Sequence, residues 1–452
     1  MYEEILELIA EKKYTRLRKI LSETEPADIA LIFEEIAEKD LPIVFRILPK
    51  VLAAEVFAEL DSDMQEHLIN GFSDSELKGV WDELFMDDAV DIIEEMPASV
   101  AKRILKQTDI DTRRMINKLL AYPDDSAGSI MTTEYIDLRR EMTADEAFDR
   151  IRFLGVDTES IYTCYVTDES RHLLGVITVK ELLLNPKSRA VEELMQENPI
   201  SANTFDDREE VALKFSKYDL YAMPVVDSEN RLVGIVTVDD AIEVIEEEAT
   251  EDIEKMAAIL PTDKPYLKTG VVETFKSRIP WLMLLMVSAT FTGAIISTFE
   301  AKLTILPALI AFIPMLMDTA GNCGSQSSVT VIRAISLGDI EFRDILRVLW
   351  KELRVAFLCS VALGAVNFLK LWVIDHKLFG AFDTGKQIGE IAVVCITLML
   401  TVAVAKTIGA LLPILAKKMG FDPAVMASPF ITTIVDAISL TIYFLFTTML
   451  LL

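Results

Sequence analysis

A run of carboxylates near the middle of the chain is the strongest chemical signal in the sequence. Residues 239–254 include nine acidic side chains and no basic one, namely Asp239, Asp240, Glu243, Glu246, Glu247, Glu248, Glu251, Asp252 and Glu254. The segment has a helical pattern, and acids four residues apart on a helix repel each other. Divalent cations would relieve that repulsion, and Mg²⁺ suits such a site because it prefers oxygen ligands and needs only one or two carboxylates. A solvated acidic linker helix is the plainer alternative.

Partners for this acidic run occur earlier in the chain. Asp87 and Asp88 are followed by Asp91, which lies one helical turn beyond Asp87. Residues 1–128 show apolar side chains at helical spacing, and prolines divide the region into short segments. We therefore predict an all-α domain, a small helical solenoid, that supplies Asp87 and Asp91 to a metal site shared with the acidic run.

A lone carboxylate inside apolar sequence is the second chemical signal. Asp436 stands within the apolar residues 434–438. A charged side chain in hydrocarbon is costly, so this carboxylate should face water or a cation. A protonated or hydrogen-bonded structural aspartate is the alternative. Lys406, in another apolar stretch, would either pair with a carboxylate or extend to the membrane surface, and the sequence does not decide between the two.

The segment from Pro314 to Gln326 combines helix-breaking residues with polar side chains inside apolar sequence. Broken backbone at membrane depth is tolerated only where it lines protein or water. Freed carbonyls of Gly321 and Gly324, with the side-chain oxygens of Asn322 and Gln326, would be ligands for a hard cation. The alternative is a patch of small residues that lets two helices pack closely.

Composition divides the chain into an acidic part and an apolar part. The 452 residues hold 44 Lys and Arg and 72 Asp and Glu, for a net charge of −28. Residues 276–452 contain 11 acids and 14 bases, so subtraction leaves 61 acids and 30 bases, a net of −31, for residues 1–275. Such an acidic surface repels nucleic acid. Four scattered cysteines argue against a disulfide-stapled secreted protein, and the acidic first residues do not read as a signal peptide.

The apolar part predicts five membrane spans, each of roughly 20 residues or more. We place them at residues 279–299, 303–326, 346–373, 388–415 and 423–452. Basic residues cluster between the second and third spans and between the fourth and fifth, which places both connections in the cytosol. With the N-terminus inside, an odd number of spans puts the C-terminus outside. We expect a multi-pass protein of the inner or plasma membrane, with the lipid bilayer as its surroundings.

An internal repeat with an offset of 59 residues lies between residues 129 and 241, as a comparison of 165–178 with 224–237 shows. Each copy reads as strand, turn, a strand that ends in Gly-hydrophobic-hydrophobic-Thr, and a helix. This pattern resembles a tandem pair of CBS domains, an α/β ligand-sensing module. In that family the Thr and a following acid can contact an adenosyl ribose, which implies Thr237 and Asp240 as nucleotide ligands and ATP as a candidate ligand. Glu181 departs from the aspartate in the first copy.

The order of these parts over the whole chain resembles that of the MgtE family of magnesium channels. The resemblance rests on Pro314 with residues 320–326 and 332–334, on residues 435–437 and 440–443, and on the acidic residues 246–253. The family often has Gly-Gly-Asn and a second Asn before the Gln, where this chain has Ala320 and Ser325. The implied architecture is an acidic helical N domain (1–128), the tandem CBS pair (129–241), an acidic connecting "plug" helix (242–275) and an α-helical transmembrane pore domain of five spans (276–452).

The MgtE resemblance also implies a homodimer with one central pore, in which Mg²⁺ is both substrate and regulator. The implied pore ligands are Asp436, Asn322, Gly321, Gly324 and Gln326. Cytosolic Mg²⁺ would hold the N domain, the CBS pair and the plug together in a closed state. The expected regulatory ligands are Asp87, Asp91, Asp227, Glu247, Glu248, Glu251 and Asp252.

These observations predict a Mg²⁺-selective uptake channel that cytosolic Mg²⁺ closes. A secondary divalent-cation transporter coupled to Na⁺ or H⁺ is the main alternative, and a membrane-anchored nucleotide sensor whose spans do not conduct is another. An enzyme is the least expected, because the three histidines, His67, His172 and His376, show no catalytic spacing. We expect no nucleic-acid partner.

Overall fold

The computed structural model describes residues 2–156, 158–262, 264, 266–303, 307–378, 387–426 and 428–451. Residues 304–306 of the predicted second span, and residues 427 and 452 of the predicted fifth, lie outside this set. Contacts divide the chain into two compact units, Met1–Ile245 and Glu246–Leu452, and each is described by itself.

The first unit begins with ten short helices, which confirms the predicted all-α domain. Alternate helices stack on each other, α3 on α5, α5 on α7 and α7 on α9, as in a solenoid. The helices are α1 (Tyr2–Ala10), α2 (Tyr14–Leu21), α3 (Pro26–Glu34), α4 (Leu41–Phe45), α5 (Lys50–Ala58), α6 (Ser62–Gly71), α7 (Asp74–Trp81), α8 (Met86–Glu95), α9 (Ala98–Gln107) and α10 (Ile110–Leu119).

Apolar burial and polar caps explain why these segments form helices. Phe33, Phe45, Phe57 and Phe72 pack ring against ring inside the solenoid, with centroids 5.3–6.5 Å apart. Ser73 starts α7 with a capping box, in which its hydroxyl accepts the amide hydrogen three residues later and a glutamate side chain bonds back. Such caps satisfy N–H groups that the first helical turn leaves unpaired.

Two copies of one strand-helix unit follow, as the repeat predicts. The first has β1 (Asp137–Arg139), α11 (Ala144–Leu154), β2 (Thr163–Thr167), β3 (Leu173–Thr178), α12 (Val179–Leu184), α13 (Val191–Leu194) and β4 (Gln196–Glu197). The second has β5 (Ala202–Asn203), α14 (Arg208–Tyr218), β6 (Ala222–Val226), β7 (Leu232–Thr237) and α15 (Val238–Met256). Sheet orders are β1-β2-β3-β4 and β5-β6-β7. In each copy the first strand pairs in parallel with the second, and the second pairs antiparallel with the third.

The two copies exchange backbone hydrogen bonds at the tips of their hairpins. The N–H of Leu173 donates to the carbonyl of Asn230 (3.0 Å), and the N–H of Leu232 donates to the carbonyl of Arg171 (2.9 Å). Arg171 and Asn230 both have a left-handed backbone, with φ of 68° and 61°. The tips are therefore related by an approximate two-fold axis, and each tip provides a hydrogen-bond partner for the backbone of the other.

The second unit is a set of long helices. They are α16 (Val271–Leu303), α17 (Ile313–Ser336), α18 (Ile345–Lys370), α19 (Gln387–Lys418) and α20 (Ser428–Leu451), with short 3₁₀ turns at Pro307–Phe312, Phe342–Asp344 and Pro423–Met426, and a π-helical extension of α18 at Leu371–Leu378. Among the described residues, four segments are long and apolar enough to cross a membrane: Val271–Phe299, Phe342–Ile374, Ile388–Lys418 and Pro423–Leu451. α17 is equally helical but is not one of them, because it carries many polar side chains.

The expected break between Pro314 and Gln326 is wrong, because α17 is one continuous helix that also begins later than the predicted second span. Pro314 lies in the first turn, where its missing N–H has no partner to lose. The glycines serve close packing instead. A Cβ on Gly321 would collide with Thr432, and a Cβ on Gly409 of α19 would collide with the carbonyl oxygen of Gly324. The small-residue packing alternative is therefore what the structure shows, and the carbonyls of Gly321 and Gly324 are not freed from the helix.

The predicted connecting helix over residues 242–275 is also wrong in its extent. α15 ends at Met256, and none of the described residues between 257 and 270 is helical. Ala258 has a left-handed φ of 56°, and Pro261 cannot donate a helical hydrogen bond. The N–H of Thr262 instead donates to Glu254 Oε2 (2.9 Å), which closes the turn after α15.

Replacing Gly409 by alanine should destabilise the membrane unit. The added methyl group would push against the backbone of α17, and overpacking of this kind costs about 1–3 kcal/mol. Thermal unfolding of the full-length protein in detergent measures the loss. Gly293→Ala is the matched control, since a Cβ there, also on a long helix, meets no atom within 4 Å. Equal stability of the two variants would contradict the close approach of α17 and α19.

Candidate functional site

Carboxylates from three parts of the first unit meet beside α8. The acidic cluster, as we call it, consists of Asp87, Asp88, Asp91, Glu159, Asp239, Asp240 and Glu243, whose charges act on one another. The first turns of α8 and α15 both carry acids, where the partial positive charge of a helix N-terminus favours them. Each helix gains locally from its acids, and the fold then brings the two acidic helix ends together.

Burial, together with repulsion from neighbouring acids, raises the pKa of several carboxylates of the cluster. Asp87 is only 8% exposed, and burial, followed by repulsion from Asp240 and Asp88, raises its pKa. Burial, with repulsion from Asp240 next, raises the pKa of Asp88 to about 7. Burial, with repulsion from Asp239 next, raises the pKa of Glu159 to about 8. At neutral pH these groups therefore hold protons or attract cations.

Asp91 lies at the solvent-facing edge of the acidic cluster. Although the residue keeps exposed surface, loss of hydration around its carboxylate and repulsion from Asp240 and Glu243 raise its pKa to about 8. Across the described part of the chain, no three His, Cys, Asp or Glu side chains stand close enough to hold one metal ion directly. A hydrated Mg²⁺ bound by one or two carboxylates is compatible with this spacing.

Thr237 and Asp240, the predicted nucleotide ligands, bond to each other in the structure. The hydroxyl of Thr237 donates to Asp240 Oδ2 at 2.5 Å, and the Thr237 N–H donates to the same oxygen at 3.3 Å. Thr178 and Glu181 form the equivalent capping box in the first repeat. The repeated Thr-x-x-acid motif thus starts a helix in each copy, and in the second copy it also directs Asp240 into the acidic cluster.

Asp227, a predicted regulatory ligand, forms part of a hairpin turn. Its Oδ1 accepts hydrogen bonds from the backbone N–H groups of Glu229 and Arg231, both at 2.9 Å. Asp168 makes the same pair of contacts one repeat earlier. A turn-forming role accounts for this aspartate in both copies, so its part in metal binding stays a prediction.

Within the second unit, which begins at Glu246, the end of α15 makes specific polar pairs with neighbouring segments. Asp252 Oδ2 accepts a hydrogen bond from the hydroxyl of Ser336 at the end of α17 (2.9 Å). Lys255 Nζ lies 2.6 Å from Glu251 Oε1 and 2.7 Å from Asp422 Oδ2, just before α20. Glu251 therefore already has a basic partner, which the acidic run did not suggest.

The predicted pore residues lie together on α17 and α20. Asp436 Oδ1 is buried and has no hydrogen-bond partner among the described residues. A Cβ on Gly321 would lie 3.9 Å from that oxygen, so α17 passes directly in front of it. Asp318 is near enough for its charge to repel that of Asp436, and Asn322 Nδ2 donates to Asp318 Oδ1 at 3.2 Å.

One face of α17 is polar and exposed along most of its length. Asp318, Asn322, Gln326 and Thr330 follow each other at four-residue intervals and are all exposed. Residues spaced in this way lie on one face of a helix. We call this face the polar stripe. An exposed polar stripe does not suit lipid, so it requires water or a second protein surface.

Comparison with known proteins agrees with this division of the chain. The model of the MgtE intracellular N domain matches residues 24–125, that of the CBS domain matches residues 127–187 and 191–247, and the divalent cation transporter model MgtE matches residues 313–446. The chain is 35% identical over 441 residues to the magnesium transporter MgtE of Thermus thermophilus, covering 97% of this chain and 95% of the relative. This chain belongs to the MgtE family.

Other relatives of this MgtE-family chain give the same picture. The magnesium transporter MgtE of Bacillus subtilis is 33% identical over 444 residues and is covered to 95%, with 97% of this chain aligned. Among solved structures, the cytosolic domain of the Mg²⁺ channel MgtE in complex with ATP matches with a TM-score of 0.52 and 34% identity, covering 54% of this chain and 100% of that one. The predicted membership of the family is confirmed.

Several residues of these sites were not predicted as ligands. Asp88, Asp239 and Glu243 belong to the acidic runs seen in the sequence, but Glu159 carries no local signal and joins the acidic cluster only through the fold. Asp318 lies within the segment 314–326, and its four-residue spacing from Asn322 was the available clue. Four-residue periodicity of polar side chains would have identified the polar stripe.

The stability of the first unit should fall as the pH rises when Mg²⁺ is absent. In the unfolded chain these carboxyls ionise near pH 4, while Asp88 and Glu159 have a pKa of about 7 and about 8 in the folded chain. Within that window the folded form holds protons that the unfolded form has lost, so raising the pH lowers the free energy of unfolding. Thermal unfolding of the full-length protein in detergent and chelator, from pH 5 to 8, measures this.

Added Mg²⁺ should remove most of the loss at pH 8, because the cation replaces the protons. The double variant Asp88→Asn, Glu159→Gln should show a flatter pH dependence. Asp63→Asn, a change at an exposed acid of α6 outside the cluster, serves as the control. A pH profile unaffected by Asp88→Asn, Glu159→Gln would rule out the acidic cluster as its source.

Proposed function

We propose that this chain is a Mg²⁺-selective channel for magnesium uptake, which functions as a homodimer and which cytosolic Mg²⁺ closes. The observation that carries the proposal is the polar stripe of α17 beside Asp436, one oxygen of which has no partner in the described part of the chain, within a set of apolar helices. Relatives that match almost the whole chain are named magnesium transporters, and a solved relative is named a Mg²⁺ channel.

Asp436 and Asp318 provide the negative charge that a divalent cation needs in a membrane. Mg²⁺ gives up its waters reluctantly, so a largely hydrated ion would pass with its waters hydrogen-bonded to these carboxylates and to the amides of Asn322 and Gln326. The glycines have a different part from the one expected. Gly321 and Gly324 let α17 approach α20 and α19 closely, and in this proposal side chains rather than backbone carbonyls line the ion path.

The polar stripe also supports the homodimer. A single chain leaves Asp318, Asn322 and Gln326 exposed on a helix that packs against α19 and α20 on its other side. Two copies that face each other through α17 would enclose these side chains around one water-filled path. With α17 counted, five helices cross the cell membrane, the N-terminus lies in the cytosol and the C-terminus outside.

Repulsion within the acidic cluster provides the driving force for gating. When cytosolic Mg²⁺ is scarce, the carboxylates of α8 and α15 repel each other and the compact arrangement is unfavourable. When Mg²⁺ is abundant, ions bound by the cluster favour the compact arrangement. α15 carries acids of the cluster near its start and the contacts of Asp252 and Lys255 near its end. The position of this helix therefore depends on both sets of interactions. Mg²⁺ then shifts a two-state equilibrium by binding one state more tightly.

ATP binding at the CBS pair is part of the proposal. The solved cytosolic domain of the Mg²⁺ channel MgtE, which covers 54% of this chain, is in complex with ATP. The hydroxyl of Thr237 and the carboxylate of Asp240 are placed at the N-terminus of α15, at the end of a buried strand, where a ribose would find both a donor and an acceptor. The phosphates would have to point away from the acidic cluster or carry Mg²⁺ with them.

Replacing Asp436 by alanine should abolish Mg²⁺ uptake by the full-length protein in liposomes. Removing the carboxylate takes away the charge that offsets the cost of a cation in the membrane. Uptake is measured with a Mg²⁺ dye inside liposomes that have an inside-negative potential and no Na⁺ or H⁺ gradient. Asp339→Asn, at an exposed acid between α17 and α18, should transport normally. Flux without a counter-ion gradient favours a channel over the coupled transporter, and full flux in Asp436→Ala would disprove the pore assignment.

Neutralising Asp87, Asp91, Glu247 and Glu251 together should leave the channel open at a cytosolic Mg²⁺ concentration that closes the unmodified protein. Amides bind Mg²⁺ more weakly than carboxylates do, so the closed state loses its bridging ions. Current through single channels, with Mg²⁺ varied on the cytosolic face, measures the shift. Glu7, Glu11, Glu34 and Glu35, all on α1–α3 or just beyond and none in the cluster, give a control with the same change of charge. Closure at an unchanged concentration would count against gating by these acids.

A further inference from the structure

A buried polar network joins three helices of the second unit. Lys406 of α19, Ser327 of α17 and Glu352 of α18 are exposed to 4%, 2% and 9%. The ammonium of Lys406 donates to Ser327 Oγ at 3.3 Å. The hydroxyl of Ser327 in turn donates to Glu352 Oε2 at 2.7 Å. The sequence left open whether Lys406 pairs with a carboxylate or extends to the surface, and the structure shows it buried and linked to the carboxylate of Glu352 only through the hydroxyl of Ser327.

Breaking this network would be energetically unfavourable, because it contains buried charged groups. A buried lysine or glutamate is stable only if its charge is compensated and its polar atoms are hydrogen-bonded. A serine hydroxyl can accept one hydrogen bond and donate another, so Ser327 links the two charged groups through one hydrogen bond to each. Lys406 also acts electrostatically on the buried thiol of Cys323, one turn before Ser327, and Cys323 is close to Cys359 of α18.

The network lies on the side of α17 that faces away from the polar stripe. Asn322 and Gln326 are exposed, whereas Cys323 and Ser327, one residue further along in each case, are buried. A third side of α17 is fixed by Gly324, whose Cβ would lie 3.3 Å from the carbonyl oxygen of Ala405, the residue before Lys406. The rotation of α17 about its own axis therefore depends on the glycine contacts and on Ser327.

We propose that Lys406, Ser327 and Glu352 are positioning residues for the ion path: the network fixes the rotation of α17, and so keeps Asp318, Asn322 and Gln326 turned toward the permeating ion. The network also places the negative charge of Glu352 near the buried positive charge of Lys406, beside the helix that lines the proposed ion path. This inference rests on the proposed transport of Mg²⁺. It assigns a role to three residues that do not touch the ion.

The test uses the full-length protein in liposomes, with Mg²⁺ influx driven by membrane potential. Two quantities are measured: maximal flux per folded channel and the external Mg²⁺ concentration that gives half-maximal flux. Ser327→Ala removes one oxygen atom and should raise the half-maximal concentration, whereas Ser327→Thr keeps the hydroxyl and should restore it. Ser360→Ala is the control, since the hydroxyl of Ser360 is also buried but bonds only to its own helix. Lys351→Met, at an exposed position next to Glu352, controls for charge.

Glu352→Gln and Lys406→Met should each raise the half-maximal concentration, and the double variant should lose less than the product of the two single losses. Contacting residues usually couple by about twofold to a hundredfold. If the network only supports folding, the variants will yield fewer folded channels with an unchanged half-maximal concentration, and the proposal is overturned. Independent, multiplying effects of Glu352→Gln and Lys406→Met would overturn it as well. Absence of Mg²⁺ flux in the unmodified protein would instead reject the proposed function.

Discussion

Mutual repulsion of carboxylates at the N-termini of α8 and α15 is the electrostatic constraint that the first unit must satisfy. Each helix gains locally from acids in its first turn, but the fold brings the two turns together and places Asp87 among them with little access to water. The result is a site that is stable when protons or cations are bound and strained when they are not. A metal-dependent switch needs no further machinery than this conflict between local and tertiary electrostatics.

The membrane unit handles buried charge in two different ways. Lys406 and Glu352 carry opposite charges and are joined through the hydroxyl of Ser327. Asp318 and Asp436 repel each other instead, and one oxygen of Asp436 has no partner among the described residues. The first arrangement brings opposite charges together within the protein, whereas the second brings like charges together. The proposed roles of the two sets of residues, in positioning helices and in binding the ion, rest on this contrast.

Sequence reasoning located the parts of this protein better than it located their contacts. The helical domain, the repeat and the acidic run were predictable because helical spacing, a 59-residue offset and charge density are local features. The continuity of α17 could not be predicted in the same way. Gly and Pro occur both where a helix breaks and where two helices pack closely, as Gly409 and Gly324 do here. Glu159 and the pair of Lys255 with Asp422 were missed because the partners are distant in sequence.

The same limit applied to the candidate sites. Asp436 was predictable because a carboxylate in apolar sequence is costly and so calls for a reason. Asp227 was assigned to metal binding, but the fold uses its carboxylate to close a hairpin turn, as it does with Asp168. A single sequence shows that an acid is present, while the direction of its side chain depends on the turn that holds it.

The hairpin tips of the two CBS repeats have a consequence for how such a pair arises. Each tip offers the N–H and the carbonyl that the other lacks, through Leu173 with Asn230 and Leu232 with Arg171. A solitary repeat would satisfy the same groups by joining a second copy of itself. Duplication of one ancestral segment would therefore convert an intermolecular contact into an intramolecular one without inventing a new interface. The segment between the two copies then keeps them together. Either copy can change in sequence away from its hairpin tip while the hydrogen bonds between the tips are retained.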